Sequence, residues 1–115
     1  MPEKGFSVRR SKYGAIPTVV DNVRFASKRE AKRYQDLKIL QAGREIYGLE
    51  WDKKELRYDL RVNGLLIARY EADFRYIDRN LGQLVVEDAK GFKTPAYKIK
   101  KKLMKAIHNI DIQEV

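Results

Sequence analysis

The chain has 115 residues, a length that fits one domain, and its 25 lysines and arginines outnumber its 16 acidic residues to give a formal net charge of +9. It has no cysteine, which excludes disulfides, thiolate metal sites and cysteine nucleophiles, and no apolar run approaches the ~20 residues of a membrane helix. These properties predict a cytoplasmic protein without a membrane partner, whose excess positive charge binds a polyanion, with nucleic acid as the first choice.

The N-terminal segment is basic and has no hydrophobic period. We predict that residues 1–16 form a flexible basic arm ahead of a single domain at 17–115. Arg9 and Arg10 in this arm are candidates for contact with nucleic acid. Beyond the arm, Asp21-Asn22 lies between two short apolar runs and predicts a tight hairpin.

A helix is predicted to begin after Ser27. Glu30 follows Ser27 by three residues, which is the pattern of a capping box, and Ala42-Gly43 supplies a stop signal. Glu30 shares the apolar face of this helix, where a carboxylate is costly unless it has a partner. Two interpretations stay open: Glu30 is a capping residue only, or it also belongs to a metal site.

Between residues 46 and 78 the hydrophobic period changes to two, which predicts antiparallel strands. Asn63-Gly64 lies between two alternating runs and is a strong signal for a hairpin. We expect the returning strand to run unbroken from about residue 65 to residue 77. The residues that this strand would place on one face are Tyr70, Ala72, Phe74 and Tyr76.

The last third of the chain predicts a strand, a helix and a strand. The run Leu84-Val85-Val86 is apolar on both faces, as in an interior strand. Pro95 suits the first turn of a second helix, and residues 110–115 alternate as a final strand. A strand, a helix and a strand in this order favour a parallel pairing of the two strands. The predicted fold class is therefore α/β, with a mixed β-sheet of antiparallel hairpins and a terminal strand-helix-strand unit, flanked by helices.

Acidic side chains and a lysine are expected to meet where two strands end. Asp88 and Lys90 are two positions apart, so they share a face, whereas Glu87 points to the other face. A hairpin turn at 79–82 places Asp73 of the preceding strand opposite Asp88. Neighbouring carboxylates repel unless a cation lies between them, and Mg²⁺ is held by one or two carboxylates together with water and substrate phosphate.

The second helix predicts a surface that binds phosphates. Five lysines fall between residues 98 and 105 with no acid among them, whereas a face that serves only solubility normally mixes both signs of charge. The candidate nucleic-acid-binding side chains are Arg9, Arg10, Lys28, Lys93, Lys98, Lys101, Lys102 and Lys105.

Three segments resemble motifs of the PD-(D/E)XK nuclease superfamily: residues 25–30 (FASKRE), residues 71–74 (EADF) and residues 86–91 (VEDAKG). The likeness extends over about residues 18–115 and is nearest to small phage-encoded endonucleases, including enzymes that resolve branched DNA, and to a phage family of uncharacterised small proteins. It implies a restriction-endonuclease-like fold and a phosphodiesterase site that depends on Mg²⁺, with Mn²⁺ as a substitute ion. The site residues it implies are Glu30, Asp73, Asp88 and Lys90, with the Ala89 carbonyl as a further metal ligand.

The resemblance implies an endonuclease that hydrolyses DNA, although RNA stays open as a substrate. Resolution of branched DNA would favour a two-fold homodimer, and a phage origin would place the protein in the cytoplasm of a bacterial host. Two positions depart from the family pattern: Ala72 stands where proline is usual, and Asp88, with Glu87 beside it, stands where glutamate is commoner. The alternatives are a nucleic-acid-binding module without catalysis, and an interaction protein whose charge serves solubility or an acidic partner.

Overall fold

The computed structural model describes residues 16–115, which form two helices and eight strands. In chain order these are β1 (Thr18–Val20), β2 (Val23–Phe25), α1 (Lys28–Ala42), β3 (Ile46–Glu50), β4 (Arg57–Val62), β5 (Leu65–Glu71), β6 (Phe74–Asp78), β7 (Gln83–Asp88), α2 (Pro95–His108) and β8 (Gln113–Glu114). Residues 1–15 of the predicted arm, among them Arg9 and Arg10, lie outside the described residues.

Four strands form a mixed sheet, called the main sheet below, in the order β3-β6-β7-β8. β6 is antiparallel to both β3 and β7, whereas β8 is parallel to β7 and follows it through α2. The other strands form two hairpins, β1-β2 and β4-β5, each a sheet of its own. The α/β class, the two hairpins and the terminal parallel pair are therefore confirmed. The final strand is shorter than the predicted 110–115, because β8 pairs with β7 only at Glu87 and Asp88.

The helices begin at the residues that the sequence indicates. Ser27 Oγ accepts a hydrogen bond from the Glu30 amide at 3.1 Å. Thr94 Oγ1 accepts one from the Tyr97 amide at 3.0 Å, and Pro95 lies in the first turn of α2. These bonds satisfy amides that have no partner inside the helix. Neither of the two helices in residues 16–115 is both long enough and apolar enough to cross a bilayer.

The two predicted hairpin turns require left-handed backbone. Asp21 and Asn22 have φ values of 53° and 61°, and Asn63 and Gly64 have values of 49° and 80°. Asn, Asp and Gly adopt such values at the lowest cost among the amino acids. This is why the two dipeptides located the turns correctly.

The strand predicted from 65 to 77 is wrong, because the chain breaks it in two at Ala72 and Asp73. The Ala72 amide donates to the Leu56 carbonyl at 3.1 Å, whereas the Asp73 amide donates to the Glu87 carbonyl of β7 at 3.0 Å. Between these residues the chain changes its strand partner, since β5 pairs with β4 while β6 pairs with β3 and β7. A period of two continues through both strands and so cannot reveal the change.

The same break divides the apolar side chains between two cores. Phe74 and Tyr76 pack in a core with α1, whereas Tyr70 and Ala72 pack in a second core with α2. The prediction that all four share one face is therefore wrong. Between the cores lies β7, which contributes Val85 to the first and Val86 to the second, as expected of a strand covered on both faces.

A buried ion pair joins α1 to the main sheet. Glu87 is 1% exposed, and its carboxylate oxygens accept hydrogen bonds from Arg33 Nε at 2.7 Å and Arg33 Nη2 at 2.5 Å. The Tyr76 hydroxyl also donates to this carboxylate. A bidentate pair between guanidinium and carboxylate is both strong and directional. Glu87 therefore serves the packing of α1 on the sheet and faces the core opposite to that of its neighbour Asp88.

Replacement of Glu87 by glutamine is expected to destabilise the fold strongly. The variant leaves Arg33 without its buried counter-charge, and removal of one partner of such a pair costs about 3–5 kcal/mol. Urea denaturation measures the change in the free energy of unfolding. The control is Glu55→Gln at an exposed position, which should stay within about 0.5 kcal/mol of wild type. Equal effects of the two substitutions would contradict the structural role of Glu87.

Candidate functional site

Three buried acids, called the acidic cluster below, meet where β6 begins and β7 ends. Glu30 in the first turn of α1, Asp73 just before β6 and Asp88 at the end of β7 are 6%, 7% and 3% exposed. The register pairs Phe74 with Glu87, which continues to place Asp73 opposite Asp88, as the turn at 79–82 predicts. The structure therefore brings together the three carboxylates that the sequence singles out.

Lys53, which the sequence did not indicate as a site residue, lies between two of these acids. It comes from the turn between β3 and β4, and its Nζ is 3.2 Å from Glu30 Oε1 and forms a closer ion pair with Asp73 Oδ1. Burial lowers the pKa of Lys53, but Asp73 and Glu30 together raise it by more, so the ammonium stays charged. Lys53 gave no sequence signal, because it is one of two adjacent lysines in a charged turn.

Lys90 is the cation beside Asp88. Its Nζ lies 3.6 Å from Asp88 Oδ1 and 4.3 Å from the centre of the Tyr97 ring. The side chain is 27% exposed, so the ammonium contacts both the acid and solvent. Asp88 and Lys90 thus share one face of the strand end, as their spacing predicts.

Each aspartate has one oxygen held by a protein donor and the other turned to a lysine. The Ala89 amide donates to Asp73 Oδ2 at 2.8 Å, and the Tyr70 hydroxyl donates to Asp88 Oδ2 at 2.6 Å. The two Oδ1 atoms are those that contact the ammonium groups. Donors of this kind orient a carboxylate for cation binding. Ala89 therefore contributes its amide to the site, while the use of its carbonyl as a metal ligand stays a prediction.

Burial and mutual repulsion raise the pKa of two acids of the cluster. Burial, followed by repulsion from Asp73, raises the pKa of Asp88 to about 6, although Tyr70 and Lys90 act in the opposite direction. Burial and then Asp73 also raise the pKa of Glu30. Three carboxylates and two ammonium groups leave one negative charge unbalanced when all are ionised. The cluster therefore still attracts positive charge.

The donor set fits a divalent cation held by two carboxylates. Mg²⁺ keeps several waters and is bound by only one or two carboxylates of a protein, and Asp73 and Asp88 present two oriented Oδ1 atoms. The Lys53 ammonium lies between Glu30 and Asp73, and direct participation of Glu30 in metal binding stays a prediction. Across residues 16–115 no group of three or more His, Cys, Asp or Glu side chains is arranged to hold a metal ion.

A cleft beside Asp88 offers space for a substrate. It has a volume of about 530 Å³ and lies between the β4-β5 hairpin and the beginning of α2. Asp88 and Lys90 line it together with the basic residues Arg57, Arg69 and Lys100. The two arginines also pair with acids on the exposed face of the hairpin. Lys100 is one of the five lysines that predict a phosphate surface on α2. Arg57 and Arg69 gave no sequence signal, because charges that alternate along a strand resemble an ordinary solvated face.

The lysines near α2 are partly neutralised by the C-terminal segment. Glu114 lies 2.9 Å from Lys93 Nζ and 3.0 Å from Lys101 Nζ, and Asp111 lies 3.0 Å from Lys105 Nζ. The pKa of Glu114 is lowered to about 2, mainly by its hydrogen bond with Lys93, so this acid stays ionised. The predicted basic face of α2 contains no acid of its own, but folding brings two acids to it from β8 and the residues before it.

Three predicted phosphate contacts remain without an acidic partner in the described part of the chain. Lys98 and Lys102 are exposed on α2 and line a groove of about 450 Å³, while Lys28 is exposed at the beginning of α1. The predicted phosphate surface is thus narrower than the sequence suggests, because Lys93, Lys101 and Lys105 are paired with acids of the C-terminal segment.

Comparison with known protein families shows which family the chain belongs to. A family model described as "Protein of unknown function (DUF1064)" matches residues 10–113. The chain belongs to this family. No curated protein matches it, and no solved structure does. The segment that matches DUF1064 includes the whole acidic cluster, Lys53, Lys90 and the lysines of α2.

For this DUF1064 protein we predict that Asp88→Asn changes how stability depends on pH. The folded-state pKa of Asp88, about 6, lies above the ordinary value of 3.8, so ionisation of Asp88 destabilises the fold. This cost is absent below about pH 3.8 and complete above about pH 6. Relative to wild type, the free energy of unfolding of Asp88→Asn should therefore rise by roughly 1–3 kcal/mol between pH 4 and pH 7.

Urea denaturation at each pH, in EDTA, measures this difference, and asparagine keeps an acceptor for the Tyr70 hydroxyl. The matched control is Asp36→Asn, which removes a carboxylate paired with Lys32 on α1. A constant difference between Asp88→Asn and wild type across this pH range would show that Asp88 has no raised pKa.

Proposed function

We propose that this protein is an endonuclease that depends on a divalent metal and hydrolyses phosphodiester bonds of DNA. The observation that carries the proposal is the placement of Asp73 opposite Asp88 at two strand ends, with Lys90 beside Asp88 and open to a basic cleft. Nucleic-acid binding alone gains nothing from buried acids beside phosphates, because like charges repel. A site that combines both signs of charge suits cleavage better than binding.

Asp73 and Asp88 are the residues that would hold the ion, through their Oδ1 atoms. When bound, Mg²⁺ lowers the pKa of a coordinated water and offsets charge that develops on the phosphate. The Ala89 amide and the Tyr70 hydroxyl fix the two carboxylates by their Oδ2 atoms. These bonds orient the acids before the substrate arrives, so little reorganisation is needed during the reaction.

The cations of the cleft bind the substrate. Lys90 contacts a non-bridging oxygen of the scissile phosphate and stabilises the charge that grows there. Arg57, Arg69 and Lys100 line the same cleft and bind phosphates on either side. Lys98 and Lys102 line a second groove, on the face of α2 opposite to Lys100, and bind phosphates farther from the reacting bond.

The nature of the substrate and the assembly are also part of the proposal. The likeness of three segments to small phage-encoded endonucleases favours branched DNA, cleaved in the cytoplasm of a bacterial host. Two strands of a branch are cut symmetrically by a two-fold homodimer, which presents one cleft to each strand.

A binding module without catalysis is the alternative function. One observation favours it: Lys53 and Lys90 already neutralise much of the acidic cluster without a metal. Such a module would bind DNA equally well in EDTA and in Mg²⁺, whereas the nuclease should bind more tightly when a divalent ion offsets the acids.

Cleavage assays test the proposed activity. Wild type with Mg²⁺ or Mn²⁺ should cut at least one of four substrates: supercoiled DNA, linear DNA, a four-way junction, or RNA. Asp88→Asn and Lys90→Ala should lower the rate by about 10²–10³-fold, because each removes a charge at the reacting phosphate. Glu30→Gln keeps the backbone amide that Ser27 caps. A loss of activity in this variant would therefore show that the carboxylate is needed, and not that the helix has lost its cap.

Asp36→Asn is the control for these variants and should cleave at the wild-type rate. Wild-type activity in both Asp88→Asn and Lys90→Ala would rule out the assigned site. If wild type cleaves none of the four substrates, the binding module becomes the better account.

Salt dependence tests the basic surface of α2. The double variant Lys98→Gln, Lys102→Gln should reduce the slope of log affinity against log salt concentration by about 2, since each phosphate contact contributes about 0.9. The control double variant Lys38→Gln, Arg44→Gln removes the same charge near the end of α1 far from Glu30. An equal change in slope in the two double variants would mean that only net charge matters and not the α2 surface.

A further inference from the structure

The proposed metal site already contains a cation of the protein. The Lys53 ammonium contacts Glu30 Oε1 and forms an ion pair with Asp73 Oδ1. We propose that Lys53 and the divalent ion compete for these carboxylate oxygens, so that metal binding releases the Lys53 side chain into solvent. This inference rests on the proposed function, because it takes Asp73 as a metal ligand.

The competition follows from the oxygen that Lys53 occupies. Asp73 Oδ2 accepts a hydrogen bond from the Ala89 amide, so Oδ1 is the oxygen that can bind a cation. An Mg²⁺ ion at its usual distance of about 2.1 Å from Oδ1 would lie within a few ångströms of the ammonium. Two cations that close repel each other strongly in a buried site. The ion and Lys53 therefore cannot both bind Asp73 Oδ1.

Of the groups involved, Lys53 is the one that can move. The side chains of Glu30 and Asp73 are each 8% exposed and are fixed by α1 and the main sheet, whereas the Lys53 side chain is 41% exposed. Lys53 belongs to a turn, and its flexible four-carbon stem can swing outward without any change in a helix or strand. Its release needs only rotation of side-chain bonds.

Lys90 differs from Lys53 in its surroundings. Its ammonium is 3.6 Å from Asp88 Oδ1, longer than a hydrogen bond, so it does not occupy that oxygen as Lys53 occupies Asp73 Oδ1. It also stacks over the Tyr97 ring and lines the cleft, which are contacts that do not depend on the acid. It stays in place when the ion binds and faces the substrate. Lys53 instead acts as a substitute cation that offsets part of the charge of Glu30 and Asp73 in the metal-free protein, and its departure makes Glu30 available to the ion.

Lysine labelling of the wild-type protein tests the release directly. Acetic anhydride modifies exposed amines, and mass spectrometry of the digested protein measures each site. In EDTA Lys53 should react slowly, and addition of Mg²⁺ should raise its rate severalfold, while the exposed neighbour Lys54 serves as an internal reference and does not change. A rate at Lys53 that stays constant or falls, when calorimetry shows Mg²⁺ bound, would overturn the inference.

Metal affinity gives a second, independent test. Lys53→Met removes the competing charge, so calorimetry should show Mg²⁺ binding about tenfold tighter than in wild type. Lys54→Met removes the same charge from the adjacent exposed position and should leave the affinity within about twofold of wild type.

The outcomes separate the two proposals. Equal Mg²⁺ affinity in wild type and Lys53→Met overturns the competition and leaves the metal site intact. Absence of binding of Mg²⁺ and Mn²⁺ in wild type and in both variants overturns the proposed metal site, and the competition with it. If Lys53→Met does not fold, labelling of the wild-type protein decides the inference alone.

Discussion

Buried carboxylates need cations, and this requirement organises the packing of α1 on the main sheet and the arrangement of its strand ends. On one side Arg33 neutralises Glu87 and holds α1 in place. At the strand ends Lys53 binds Asp73, which ties the turn after β3 to the beginning of β6. An unpaired charge in such positions costs several kcal/mol, so each pair constrains where its element can lie. Part of the basic excess of the chain is therefore used inside the fold and not only at its surface.

Local signals predicted the fold wherever one or two residues decide the backbone. Asn63-Gly64 located its hairpin because few other residues accept left-handed backbone, and Ser27 located the beginning of α1 because its hydroxyl caps an amide. The break at Ala72 and Asp73 gave no such signal. It arises because one continuous alternating segment pairs with two different sheets, and the choice of partner is a tertiary property.

The site was predictable as far as strand geometry reaches. A period of two put Asp88 and Lys90 on one face, and the length of the turn before β7 put Asp73 opposite Asp88. Lys53 could not be found in this way, because it is 20 residues from Asp73 and meets it only through the packing of a turn. The ion pair of Lys101 with Glu114 could not be predicted for the same reason, because only the crossover through α2 brings these two residues together.

The β4-β5 hairpin is hydrogen-bonded as a separate two-stranded sheet, and the chain leaves it at Ala72 before it enters β6. Its arginines form one wall of the cleft that Asp88 and Lys90 also line, and its Tyr70 donates a hydrogen bond to Asp88 Oδ2. The Asn63-Gly64 tip makes none of these contacts, so we expect changes in its length to leave the alignment of Asp73 with Asp88 unchanged. The hairpin thus has two parts with different freedom: its tip can vary without effect on the acidic cluster, whereas β5 near Tyr70 is tied to Asp88 and through it to the main sheet.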